Sequence, residues 1–148
     1  MAQTLRVEIQ QVGPTTATAA ARSHRVFVDR PAGKGGEDRG PLGGEYLLVG
    51  LGGCFMSNLL AAIRARDASV SDVRVDVSAV MEGSPERFTA FTVDVSVGAG
   101  DPDLVRKLIG VAARACVVTN TLRRAAPVTL ALSGSPVEVF EGYILPQG

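Results

Sequence analysis

The chain has 148 residues, 46% of them hydrophobic and 20% charged, with 15 basic against 15 acidic side chains and no formal net charge. That length suits a single domain over 1–148, in which folding hides roughly two-thirds of the unfolded surface. A balanced charge without a basic cluster or an acidic tail argues against nucleic acid or an anionic membrane surface as a partner.

At the start of the chain Leu5, Val7 and Ile9 alternate with Arg6, Glu8 and Gln10, the period of a half-buried strand. The opening MAQTLRVEIQ has no basic segment leading into an apolar one, so no secretory signal is read and the cytoplasm is expected. Gly13-Pro14 marks a turn, 15–21 a weak second strand and 24–28 a short third one. His24 falls in that third strand and reads as a structural or surface residue. From Asp29 to Gly44 six glycines and two prolines make a loop, expected to form an arm over the site.

A helix follows over about 44–66. Residues 46–63 carry no charge, which is the lower edge of what spans a bilayer. Gly50, Gly52, Gly53, Ser57 and Asn58 dilute its apolarity, and its flanks alternate like soluble strands, so no membrane is expected. A helix apolar all round should instead be buried on every side.

Val73, Val75, Val77 and Ala79 then alternate with polar residues, and a turn at 82–87 leads to Phe91, Val93, Val95 and Val97. This predicts an antiparallel pair with one polar face. Asp101 followed by Pro102 is the start signal of a second helix. Val105, Leu108, Ile109, Ala112 and Cys116 recur on it at helical spacing, so Cys116 is expected to continue the stripe. Thr119-Asn120-Thr121 reads as a polar break before a short helical turn, and Val128, Leu130 and Leu132 as the last long strand, with 137–140 as a candidate extension. The order βββ–α–ββ–α–β is that of an α+β domain.

The two cysteines, Cys54 and Cys116, each fall on the apolar stripe of a different helix. Buried thiols commonly pack as small hydrophobes. Their separation excludes a CxxC redox motif, and with His24 alone beside them they are too few for a structural zinc site, so no metal or cofactor is expected. The other reading is a reactive pair, in which one thiolate is oxidised to a sulfenic acid and the second thiol resolves it.

The stretch GGEDRGPLGGEYLLVGLGGC (35–54) resembles the signature of the osmotically inducible protein C and organic hydroperoxide resistance superfamily. AARACVVTNTL (112–122) is similar to that family's second motif, and SHRVFVDRP fits the strand entering the loop. The resemblance covers about residues 5–133. It implies antiparallel sheets wrapped around central helices in an intertwined homodimer. It also implies a thiol peroxidase acting on organic hydroperoxides and regenerated by an external dithiol. Cys54 then matches the attacking cysteine, Cys116 the resolving one, and Glu45 a glutamate that positions an arginine. Glu45 also has a simpler reading, since a carboxylate suits a helix N-terminus.

The chain departs from the family pattern in three places. Gly43 stands where a proline usually precedes the helix, and Val117 where a proline often follows the second cysteine. The first hairpin, where the family's arginine is expected, reads Val12-Gly13-Pro14-Thr15-Thr16. Arg22, Arg25 and Arg39 are the substitutes within reach, each also readable as solvated surface. The expected function is a cytosolic hydroperoxide reductase. The rival is a non-enzymatic dimer of the same fold that binds a small molecule or serves in stress without peroxidase chemistry.

Overall fold

The computed structural model describes residues 1–142. They form two compact units, one over Met1–Leu47 and a second beginning at Leu48.

The first unit holds a three-stranded antiparallel sheet of β1 (Glu8–Gln11), β2 (Ala17–Ala21) and β3 (His24–Val28), in that order. Ile9 lies opposite Ala19, and Ala19 opposite Val26, so the three share one face. That face is exposed among the described residues, Ile9 at 59% and Val26 at 45%. The loop after β3 is not featureless. It contains a 3-10 turn at Ala32–Lys34 and is tied down by Asp29. The Asp29 side chain, only 3% exposed, accepts hydrogen bonds from the Thr16 hydroxyl (2.7 Å) and the backbone amides of Arg30 (2.7 Å) and Arg39 (3.2 Å). Burial alone would push this carboxyl up. The donors of Thr16, Thr15, Arg30 and Arg39 outweigh burial and hold it well below the usual carboxylate range.

The first long helix, α1, spans Gly43–Ala65, within a residue of expectation at each end. By length and apolarity it could cross a membrane, but its stripe Leu51, Phe55, Leu59 and Ala62 lies in the core of the second unit. Burial on every side is not met in the single chain. Val49 is 60% exposed, Leu60 49%, and the α-carbons of Gly50 and Gly53 face open space. One sheet has only one face to offer a helix, and that face takes one stripe.

The second unit has a four-stranded sheet in the order β4 (Arg74–Glu82), β5 (Arg87–Ser96), β6 (Val128–Leu132) and β7 (Ser135–Phe140). Cross-strand rows Val75–Val95–Leu132 and Val77–Val93–Leu130 explain the alternation seen in the sequence. β4 and β5 pair antiparallel as expected, whereas β5 and β6 run parallel. A parallel neighbour requires a crossover, supplied by α2 (Pro102–Ala115) and α3 (Val117–Leu122).

The Asp101 carboxylate accepts from the Leu104 amide at 3.1 Å, the cap foreseen for α2. Residues 137–140 belong to a separate antiparallel strand rather than an extension of β6. Ser133 and Gly134, with φ of 47° and 82°, reverse the chain between them. Arg114 of α2 pairs with Glu138 of β7 at 3.1 Å, fixing the helix over that strand.

The core of this unit joins the α1 stripe, the α2 residues Val105, Leu108, Ile109 and Ala112, and the inner rows of β5 and β6. Each fully buried aliphatic or aromatic side chain there contributes about 1.5–3 kcal/mol.

Candidate active site

Cys54 stands midway along α1, beside the buried stripe rather than within it, and is half-buried. Asn58 follows one turn later on the same helix. Its side-chain amide donates to the Cys54 carbonyl at 2.9 Å and lies 3.8 Å from the Cys54 sulfur. An amide anchored by the shorter bond keeps an N–H directed toward the thiol. That geometry follows from the i, i+4 spacing of neighbouring helical side chains.

Cys116 has no exposed surface. It is not the last residue of the α2 stripe, as its spacing suggested. α2 ends at Ala115, and Cys116 adopts an extended conformation (φ −74°, ψ 111°) between two helices. Its sulfur caps α3 by accepting from the Thr119 amide at 3.4 Å, doing what a serine or aspartate oxygen usually does at a helix start. Thr119-Asn120-Thr121, read as a polar break, is therefore helical. Asn120 turns back to donate to the Arg114 carbonyl at 3.0 Å, closing the end of α2.

The two thiols, 62 positions apart in sequence, are neighbours, and both are free. Burial pushes the Cys116 thiol up, and the adjacent Cys54 thiol pushes it further, while the hydroxyl and amide of Thr119 pull the other way. The net direction is upward, so Cys116 rests as a protonated thiol at neutral pH.

The other expected site residues, Glu45 and three arginines, belong to the first unit. The Glu45 carboxylate accepts from the Leu42 amide at 2.8 Å, half of a capping box at the start of α1. Neither of the ion pairs among the described residues, Arg6–Glu8 and Arg114–Glu138, includes Glu45. Arg22, Arg25 and Arg39 are all exposed in the first unit. Arg22 sits in the β2–β3 turn, Arg25 opposite Ala20, and the Arg39 guanidinium stacks 4.8 Å above the Phe27 ring. His24 is an exposed strand residue paired with Ala21. No cluster suited to a metal ion occurs among the described residues.

Sequence reasoning missed the two donors that flank the sulfurs, Asn58 and Thr119. The signal was present: each lies one helical turn beyond a cysteine. A surface cleft of about 670 Å³, lined by Arg123, Phe140 and Gly142 among others, contains neither cysteine. A more apolar cleft of about 420 Å³ runs along the exposed side of α1, lined by Val49, Gly52, Gly53, Met56, Val75 and Val77.

Residues 35–131 match the family model described as OsmC-like protein. No curated protein matches the chain. Among solved structures it is similar to an OsmC-like protein from Mycoplasma pneumoniae, with 14% identity, 90% of this chain and 96% of that one covered, and a TM-score of 0.76. It is also similar to an organic hydroperoxide resistance protein OsmC from Legionella pneumophila, with 18% identity, coverage of 88% and 97%, and a TM-score of 0.68. An organic hydroperoxide resistance protein from Elizabethkingia anophelis, at 18% identity, coverage of 90% and 97%, and a TM-score of 0.69, is a third. At such identities the likeness is one of fold.

Proposed function

Because this chain belongs to the OsmC-like protein family, we propose that it is a thiol-dependent peroxidase that reduces organic hydroperoxides. The observation that carries this reading is the juxtaposition of Cys54 and Cys116 within one core, which ordinary packing of two small side chains does not require. In the reaction, the Cys54 thiolate attacks the terminal peroxide oxygen. The O–O bond breaks, the alkoxide takes a proton and leaves as an alcohol, and Cys54 becomes a sulfenic acid. The sulfur of Cys116 then attacks that of Cys54, water departs, and a disulfide remains for an external dithiol to reduce.

The two environments support this division of labour. Cys54 is the half-buried thiol, and Cys116 the sealed one that burial keeps protonated until needed. Asn58 supplies an uncharged donor to the attacking sulfur. Being neutral, it stabilises negative charge on that sulfur less than a guanidinium would. No metal or bound cofactor enters these steps. Reliance on a dithiol reductant fits a reducing compartment, the cytoplasm.

The working form is a homodimer. The uncovered row Ile9, Ala19 and Val26, and the open side of α1 with Val49 and Leu60, are apolar surfaces that a second copy would cover. The rival, a non-enzymatic binding protein, draws on Arg39 stacking on Phe27 and Glu45 accepting from the Leu42 amide, with neither in an ion pair among the described residues.

Counting free thiols after mixing reduced protein with cumene hydroperoxide separates the two. Loss of both thiols for each peroxide consumed supports the peroxidase. An unchanged thiol count supports the binder.

A further inference from the structure

Thr119 presents an anomaly. Its side chain has no exposed surface, yet its hydroxyl oxygen has no hydrogen-bond partner among the described residues. A buried hydroxyl left unpaired destabilises a fold, and most are satisfied. The backbone amide of the same residue already donates to the Cys116 sulfur at 3.4 Å. A neutral thiol is a weak acceptor, and this one is already engaged by that amide. A thiolate accepts strongly, and hydrogen bonds to a charged group are about twice as strong as neutral ones.

We propose that the Thr119 hydroxyl is a further catalytic group of this site, held unpaired in the resting protein so that it can donate to the Cys116 sulfur when that sulfur becomes the attacking thiolate. The inference rests on the peroxidase reading for its role in turnover, though not for its effect on Cys116 ionisation. In the resolving step the Cys116 S–H bond breaks and the new S–S bond forms. The Cys54 S–O bond breaks, and the departing oxygen leaves with the proton as water. Negative charge builds on the Cys116 sulfur before the S–S bond is complete, in a core that has no solvent to receive it. The Thr119 amide already donates to this sulfur, and the unpaired hydroxyl of the same buried residue is the further donor available to the charge. The upward push of burial on Cys116 is opposed by these same two groups.

Two variants test the assignment. Thr119→Val keeps the shape and removes the donor, and Thr119→Ser keeps the donor. In a Cys54→Ser background, the thiolate absorbance of Cys116 is titrated, with the Cys54→Ser/Cys116→Ser protein as baseline. Thr119→Val is expected to move the midpoint up by about one unit, a tenfold loss of thiolate at fixed pH, and Thr119→Ser to stay near the parent. With both cysteines present, Thr119→Val should prolong the Cys54 sulfenic acid by about the same factor without slowing its formation. Because it deletes an unsatisfied polar atom, Thr119→Val should also melt no lower than the parent. A folded Thr119→Val protein with an unmoved midpoint would overturn the proposal, as would one that melts several degrees lower, since the hydroxyl would then have had a partner. If peroxide is never consumed but the midpoint moves as expected, the peroxidase reading fails while the assignment of Thr119 to Cys116 ionisation stands.

Discussion

Gly52 of α1 lies so close to Val77 of β4 that a Cβ added to it would come within 2.5 Å of the Val77 Cγ2 atom. The helix bearing Cys54 is seated on the sheet at this point. Valine is stiff about its first side-chain torsion and cannot swing away cheaply. Gly52→Ala should therefore lower stability by about 1–3 kcal/mol despite the better helix propensity of alanine. Denaturant melts of the two proteins provide the check, and an alanine variant as stable as the parent would mean that the helix can lift without cost.

The buried Asp29 carboxylate orders the loop after β3. Its folded-state pKa lies below the ordinary value of 3.8, so its contribution is fully present above that value and drains away as pH falls beneath it. Amide exchange of residues 30–42 should accelerate below about pH 4. In Asp29→Asn it should already be fast at neutral pH, since an amide can accept on one side only and turns a donor toward the others. Protection that is unchanged at neutral pH in the variant would remove Asp29 from this role.

The roles of the two cysteines are separable. Cys54→Ser is expected to abolish peroxide consumption. Cys116→Ser should still permit one turnover and leave Cys54 as a sulfenic acid that a dimedone probe captures. Wild-type turnover by Cys54→Ser would reverse the assignment.

A homodimer is expected at micromolar concentration, with the mass read by light scattering. Replacing Ile9 and Val26 by lysine should shift the population toward a single chain by placing charge on the uncovered sheet face. A parent protein that scatters as a stable monomer would refute the dimer.

Most of the elements were legible in the sequence because their signals are local. Alternation gave β4 and β5, the Asp101-Pro102 pair gave the start of α2, and the long uncharged run gave α1. The start of α3 was missed because its cap is a sulfur, and cysteine at such a position gives no recognisable signal. β7 was merged with β6 because Ser133-Gly134 is a short turn between two apolar stretches. The stripes of α1 and α2 do share one core, but Cys54 stands beside the first and Cys116 beyond the end of the second. The donors Asn58 and Thr119 were hidden because the first reads as a polar residue diluting an apolar helix and the second as part of a polar break. In a core that holds a reactive thiol, such a residue can be a partner instead.

The parallel pairing of β6 with β5 fixes the order in which this site can mature. Both cysteines leave the ribosome before Val128, the first residue of β6. Until that strand slots in beside β5, the crossover bearing Cys116 has no strand on its far side to hold it in place. Because domains fold as their chains emerge, the thiol pair is among the last features of the second unit to be completed. A nascent chain halted short of β6 would carry two independent, solvent-reachable thiols, open to oxidation without the geometry that pairs them.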